Sequence, residues 1–254
     1  MTVERYALVT GANGGIGNAV AELLAERGRG VIALEGKHGG EHLSKSNIHR
    51  FSLDLASPGA LEECVSIVNS LAPSGVNEVI NCAAEFNTNV IEPRMIDHML
   101  QVNVVWPYTL LSQIRRLATE DAKVILVSSV SSSVATTGCE LYAATKAAVE
   151  ALVRGFAFRY GSSGTRVLGV SPGLVRTKMA KAVLTDPGLS TLIASQTPSG
   201  RLADPIDIAR GIAGLLSSDF EWTQGQTVIM DGGRSLGSYE PLHHVHAIQP
   251  PKET

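Results

Sequence analysis

Three side chains within one short stretch could share a proton. From Leu126 the chain runs Leu-Val-Ser-Ser-Val-Ser-Ser-Ser, then through a loop of small residues to Tyr142-Ala-Ala-Thr-Lys146. Read as a strand end, a loop and a helix start, it brings together a hydroxyl, a phenol and an ammonium. On a helix Tyr142 and Lys146 are spaced i, i+4 and share a face. A cation near a phenol favours the phenolate and draws its pKa from about 10 toward neutrality. A phenol tuned in this way can exchange a proton with a substrate hydroxyl or carbonyl near neutral pH. Ser129, at the mouth of the strand, could hold the same oxygen by hydrogen bond. Taken alone, the pair has a plainer reading, because Tyr-x-x-x-Lys also occurs on amphipathic helices with the tyrosine half-buried and the lysine solvated. The rest of the chain decides between them.

The elements that would position these groups begin at the N-terminus. Tyr6–Thr10 is a short apolar run suited to a buried parallel strand. It leads into Gly11-Ala-Asn-Gly-Gly15-Ile-Gly17 and then a helical pattern from Ala19, ended by Gly28 and Gly30, before a second strand at Val31–Leu34. This is a βαβ unit with a glycine-rich first turn. Such a turn lets the backbone approach a pyrophosphate, which the helix N-terminus stabilises. Glu35 closes the second strand, where a carboxylate can bond both ribose hydroxyls of adenosine and repel a 2′-phosphate. Lys37, two residues on, opposes that discrimination.

Further along, residues 37–47 read as a polar loop whose histidines, His38 and His42, like the neighbouring His49, are surface residues. Ile48–Asp54 reads as a third strand, and Ser57-Pro58 as the N-cap and first turn of a helix reaching Leu71. Strands follow at Asn77–Ala84, Lys123–Val127, Thr165–Ser171 and Gln226–Met230. The helices between them are a long stretch from Met95 to Leu117, one from Tyr142 to Tyr160, and one opened by Asp204-Pro205. Asn103 falls inside the long stretch, where asparagine is a poor helix former and would either kink the helix or face solvent. Residues 178–200 read as an apolar lid. The chain divides into one domain, 1–237, and a Pro- and His-containing tail, 238–254, whose His243, His244 and His246 suggest an unstructured or subunit-crossing segment more than a metal site.

Composition narrows the class. The chain has 254 residues, 44% apolar and 18% charged, which supports a large buried core. A net charge of −3 provides no footprint for nucleic acid or an anionic membrane. No run approaches a membrane span, the first residues do not form a signal peptide, and Cys64, Cys82 and Cys139 lack metal-ligand spacing. The expectation is a cytoplasmic protein with reduced thiols and no metal.

Together these features resemble the short-chain dehydrogenase/reductase family in its single-domain form, over nearly the whole chain to about Gly237. Thr10-Gly11-x-x-x-Gly15-Ile16-Gly17 is similar to the family's cofactor turn, and Asn81-Cys-Ala-Ala84 to its Asn-Asn-Ala-Gly motif, with Cys82 and Ala84 departing from it. Ser129 stands at the family's usual distance before Tyr142. Pro172-Gly173 through Thr177, Gly200–Pro205 and Asp231-Gly-Gly233 match its later signatures. The resemblance implies an α/β, Rossmann-type doubly wound fold with a seven-stranded, mostly parallel sheet and helices on both faces. It implies Tyr142 as acid/base, Lys146 as the group lowering its pKa and binding the nicotinamide ribose, Ser129 as the polariser of the substrate oxygen, and Asn103 as the support of a proton-relay water. Gly11, Asn13, Gly15, Ile16, Gly17, Glu35, Asp54, Asn81 and Ala83 would hold the cofactor's adenosine and phosphate half. Asp54 would meet the adenine edge and Asn81 the ribose through its backbone. Pro172, Gly173, Val175 and Thr177, with Tyr142 and Lys146, would hold the nicotinamide half.

Glu35, and Gly14 where a basic residue usually marks NADP users, favour NAD over NADP. The leading expectation is an NAD(H)-dependent dehydrogenase or ketoreductase acting on a hydrophobic or alicyclic secondary alcohol or ketone, assembled as a homotetramer or homodimer. One alternative is an NADPH-dependent reductase of the 3-oxoacyl-carrier-protein type, and another is a nucleotide-binding regulator without turnover. Residues 85–95, 131–141 and 178–200 would wall the substrate pocket. The lid is expected to order when substrate binds, which limited proteolysis with and without ligand would read.

Overall fold

The computed structural model of the protein describes residues 5–36 and 47–237. Lys37, His38, His42 and the C-terminal tail histidines lie outside the described residues. Seven strands, β1 (Tyr6–Thr10), β2 (Gly30–Glu35), β3 (Ile48–Ser52), β4 (Val76–Asn81), β5 (Ala118–Val127), β6 (Arg166–Pro172) and β7 (Thr227–Met230), form one sheet in the order β3-β2-β1-β4-β5-β6-β7. All six pairings are parallel, so the sheet is fully rather than mostly parallel.

Side chains alternate across each strand, and both faces are covered. Leu8, Ile32, Leu34, Val79 and Leu126 pack on one side with helices α2 (Ala60–Leu71), α4 (Trp106–Ser112) and α5 (Glu140–Tyr160). Ala7, Val9, Val31, Ala33, Ile80 and Val127 pack on the other with α1 (Gly15–Glu26) and α8 (Pro205–Leu215). Two covered faces explain why the strands read as nearly continuous apolar runs. The chain order turns back between β1 and β4. At such a switch point the carboxyl ends of neighbouring strands open a crevice, and the glycine turn after β1 and the chain leaving β4 both lie there.

Two helix expectations need correction. Ser57 is not an N-cap: its N–H and its hydroxyl both donate to the Asp54 carbonyl. Gly59, in the left-handed region at φ 86°, starts α2 at Ala60. The stretch from Met95 to Leu117 is not one helix. It divides into α3 (Pro93–Leu100), a π-helical turn at Gln101–Val105, α4, and a 3-10 turn at Ile114–Arg116. Pro107, four residues after Asn103, has no N–H to offer the Asn103 carbonyl, and its ring crowds that carbonyl in a regular α-helix. The wider turn accommodates both. Within the lid, a 3-10 turn (Lys178–Ala180) precedes α6 (Lys181–Leu184) and α7 (Pro187–Ser195). Asp186 caps α7 by accepting from Leu189 N at 3.0 Å.

Candidate active site

The sheet's carboxyl edge gathers most of the residues singled out by sequence. Gly11 has φ 68°, and a Cβ there would lie 2.7 Å from the backbone of Ala83, so the turn after β1 lies directly against the chain leaving β4. A Cβ on Gly15 would lie 2.5 Å from the Thr177 side chain, and one on Gly17 2.2 Å from the Gly11 carbonyl oxygen. Only glycine permits this closeness. Helix α1 then begins at Gly15 with no side-chain cap and no acidic residue in its first turn. This backbone cradle and positive helix end fit a pyrophosphate.

Asn81 serves the cradle from beneath. Its Oδ1 accepts from Thr10 Oγ1 at 2.7 Å and Trp106 Nε1 at 3.1 Å, which ties the end of β4 to β1 and α4. Asn13 donates to Gly36 O at 3.4 Å, linking the turn to the end of β2. Half-buried Ile16 packs into the core below. Asp54 follows β3, its carboxylate accepting from Ala56 N. Glu35 is buried and ion-paired to Arg50 at 2.5 Å. On the far side, Gly173 after β6 donates to Met230 O, and buried Val175 bridges to Ala203. Pro172 ends β6.

The proton-handling groups stand beside this cradle. Tyr142 is buried and packs edge-on against Phe86, ring centroids 4.9 Å apart. The Ser129 hydroxyl lies near enough to the phenol to favour its ionised form, and it accepts from Ser131 N at 3.2 Å. Lys146 is 2% exposed. Its Nζ donates to the Val127 carbonyl at 2.9 Å and lies 5.5 Å from the Tyr142 ring centroid.

Asn103 is neither a solvent-facing nor an idle residue. Its Oδ1 accepts from Glu85 N at 2.7 Å, and its Nδ2 donates to Glu85 O and to Thr145 Oγ1. Thr145 in turn donates to the Tyr142 carbonyl. Both amide donors are engaged, so any water held for a relay would fall to the Asn103 main-chain carbonyl, which Pro107 deprives of its α-helical donor.

Sequence reading missed several supports. Glu150, one turn beyond Lys146, accepts from Ser132 Oγ at 2.6 Å and Ser128 Oγ at 3.1 Å, and Ser128 Oγ also contacts the Lys146 carbonyl. These bonds tie the Ser129 loop to α5. The i, i+4 spacing from Lys146 was visible, but its serine partners depend on how the loop is laid. Phe86, Thr145, Trp106 and Arg50 were likewise unmarked. Among the described residues no group of three metal-ligating side chains occurs.

Burial governs protonation in this arrangement. It pushes the Tyr142 phenol up to about 12, only partly offset by the Ser129 hydroxyl, and pulls Lys146 down to about 8. Both groups are thus taken from water, and the Lys146 ammonium is turned to the Val127 carbonyl. Because Lys146 titrates lower in the fold than its ordinary 10.5, the unfolded chain binds more protons between those values and stability rises with pH across that window. Below it, both states are charged and the burial penalty is complete. Relative to Lys146→Met, the wild type should therefore gain about 2 kcal/mol between about pH 7 and pH 9.5, read by urea unfolding. Tyr142 acts oppositely, but only above its unfolded value of 10.

The geometry matches a known family. The model for enoyl-(acyl carrier protein) reductase matches residues 11–235. The 3-oxoacyl-(acyl-carrier-protein) reductase FabG of Vibrio cholerae is 31% identical over 239 residues, 90% of this chain and 96% of the relative. The chain belongs to the short-chain dehydrogenase/reductase family of oxidoreductases. A cis-4-hydroxycyclohexanecarboxylate dehydrogenase from Sinomonas cyclohexanicum is 29% identical over 244 residues, covering 91% and 96% of the two chains. In fold, the short-chain dehydrogenase architecture is shared with 4-hydroxyisoleucine dehydrogenase solved with NADH: TM-score 0.84, 23% identity, 92% of this chain and all of that one. Among the described residues no helix is long and apolar enough to cross a membrane.

Proposed function

We propose that the protein is an NAD(H)-dependent dehydrogenase/ketoreductase that interconverts a secondary alcohol and its ketone. The observation that carries this reading is the convergence of Tyr142, Ser129 and Lys146 beside a glycine cradle at the sheet's switch point. Nicotinamide would supply or accept the hydride. Gly11, Gly15 and Gly17 would hold its phosphates and Glu35 its adenosine ribose, with Val175 and Thr177 beside the carboxamide. Tyr142 Oη would carry the proton that the substrate oxygen gains or loses, and Ser129 would orient that oxygen. Lys146 would contact the nicotinamide ribose and lower the phenol's pKa through it, and a water on the Asn103 carbonyl would carry the proton onward.

The bonds from Glu150 to Ser128 and Ser132 hold the loop that carries Ser129. Glu150→Ala should lower kcat about tenfold with NADH affinity unchanged, since small misplacements at a reacting centre are costly. Glu150→Gln, which keeps an acceptor, should retain more activity; steady-state kinetics beside NADH titration distinguishes the two effects.

Apolar lid residues, with Met179, Leu189 and Leu192 substantially exposed, support a hydrophobic or alicyclic substrate, and the relative acting on a hydroxycyclohexane carboxylate points the same way. The likeness to a 3-oxoacyl-carrier-protein reductase supports a second reading, reduction of a β-keto thioester with NADPH. Phe158, 94% exposed on α5, and Tyr108 on α4 support assembly with further copies, and sedimentation of Phe158→Glu should show smaller species. Parallel titration with NADH and NADPH tests the cofactor, and a panel of cyclic alcohols with NAD tests the chemistry. Tighter NADPH binding with turnover only of keto thioesters would replace the first reading by the second.

A further inference from the structure

Arg50 sits within β3, paired across from Ala33 of β2, and its guanidinium joins two elements of the cofactor cradle. Nη1 donates to Glu35 Oε1 at 2.5 Å and Nη2 to Asn18 Oδ1 at 3.0 Å. Asn18 belongs to the opening of α1, its N–H bonded to Gly14 O and its amide donating to Glu22. The Arg50 side chain is 18% exposed and that of Glu35 11%. The guanidinium is therefore held, at partial burial, between the carboxylate that ends β2 and the helix that begins after the glycine turn.

We propose that Arg50 is a specificity-determining residue for the dinucleotide, acting with Glu35 as one unit. This rests on the reading of Glu35 as the contact of the adenosine ribose. Arg50 fixes the carboxylate's orientation through Oε1 and balances its charge in a partly desolvated place. The same pairing keeps the guanidinium from a phosphate. A carboxylate at this strand end selects the ribose hydroxyl and a nearby arginine accommodates a 2′-phosphate, and this chain holds both, each occupying the other. Removing the carboxylate leaves Arg50 tied, among the described residues, to Asn18, with a planar fork suited to phosphate oxygens.

The test is a double-mutant cycle on the full chain, titrating NADH and NADPH against wild type, Glu35→Ser, Arg50→Met and the double variant. Glu35→Ser should weaken NADH binding and tighten NADPH binding about tenfold or more, the scale of a charged hydrogen bond. Adding Arg50→Met should abolish the NADPH gain. Arg50→Met alone should loosen NADH, because Glu35 loses its orienting partner, and Arg50→Lys, which keeps the charge without the fork, should recover part of each effect. If Arg50→Met fails to fold by circular dichroism, Glu35→Ser combined with Arg50→Lys takes its place and should lose most of the gain. An NADPH gain that survives loss of the guanidinium, or no gain in Glu35→Ser, overturns the proposal. A wild type that prefers NADPH overturns the NAD reading instead, and coupling between positions 35 and 50 is then read from the same cycle. A wild type that binds neither dinucleotide removes the functional reading and this inference with it.

Discussion

Tyr142→Phe is expected to bind NADH as the wild type does and to turn over substrate about 10²–10⁴-fold more slowly, the usual contribution of a positioned acid/base. The two outcomes separate because the substitution removes one oxygen and little else. The ring stays in edge contact with Phe86, and the Ser129 hydroxyl keeps its bonds with Ser131. No buried donor is left without a partner, so stability should change by less than about 1 kcal/mol. Unfolding curves, NADH titration and initial rates on one preparation would measure all three. A variant retaining more than a few per cent of the wild-type rate would remove the phenol from the chemistry. Loss of NADH binding with an intact melt would instead make Tyr142 a cofactor contact first.

Where the sequence spoke and where it was silent follows from what is local. The cradle was legible because glycine spacing, strand and helix are adjacent along the chain, and the Tyr142–Lys146 pair because one turn of helix defines it. The break at Asn103 was also locally written, in Pro107, since the rule connecting a proline to the carbonyl four residues before it needs no tertiary knowledge. Arg50 was different. Its meeting with Glu35 depends on the parallel register of β2 and β3, in which Glu35 lies opposite Ser52, and register is fixed by packing across the sheet. Trp106 reaching Asn81 depends similarly on where α4 is laid over β4. The protonation of Lys146 is furthest from sequence: spacing places the ammonium near the phenol, but how completely both are taken from water decides which way each titrates.

Gly17→Ala is expected to cost at least about 2 kcal/mol of stability and to abolish measurable dinucleotide binding, because over-packing against a fixed backbone has nowhere to relax. The added Cβ would lie 2.2 Å from the Gly11 carbonyl oxygen and 2.8 Å from its carbon. Gly11 has little room to retreat: it sits at φ 68°, even a Cβ added to it would meet the Ala83 backbone at 2.7 Å, and Cys82 N donates to Thr10 O beside it. The turn would have to open toward the groove, which is where the pyrophosphate would lie, so stability and binding fall from one displacement. For a domain of this size the loss corresponds to a melting temperature lower by roughly 4–8 °C. Gly155→Ala supplies the opposite case. It is a helix-interior glycine of α5 with nothing within 4 Å of its added Cβ, so the same substitution should stabilise by about 0.5–1 kcal/mol through helix propensity. If Gly17→Ala melts with the wild type and still binds NADH, the turn is more compliant than its contacts indicate, and the glycines there would serve the ligand's approach rather than the closure of the protein on itself.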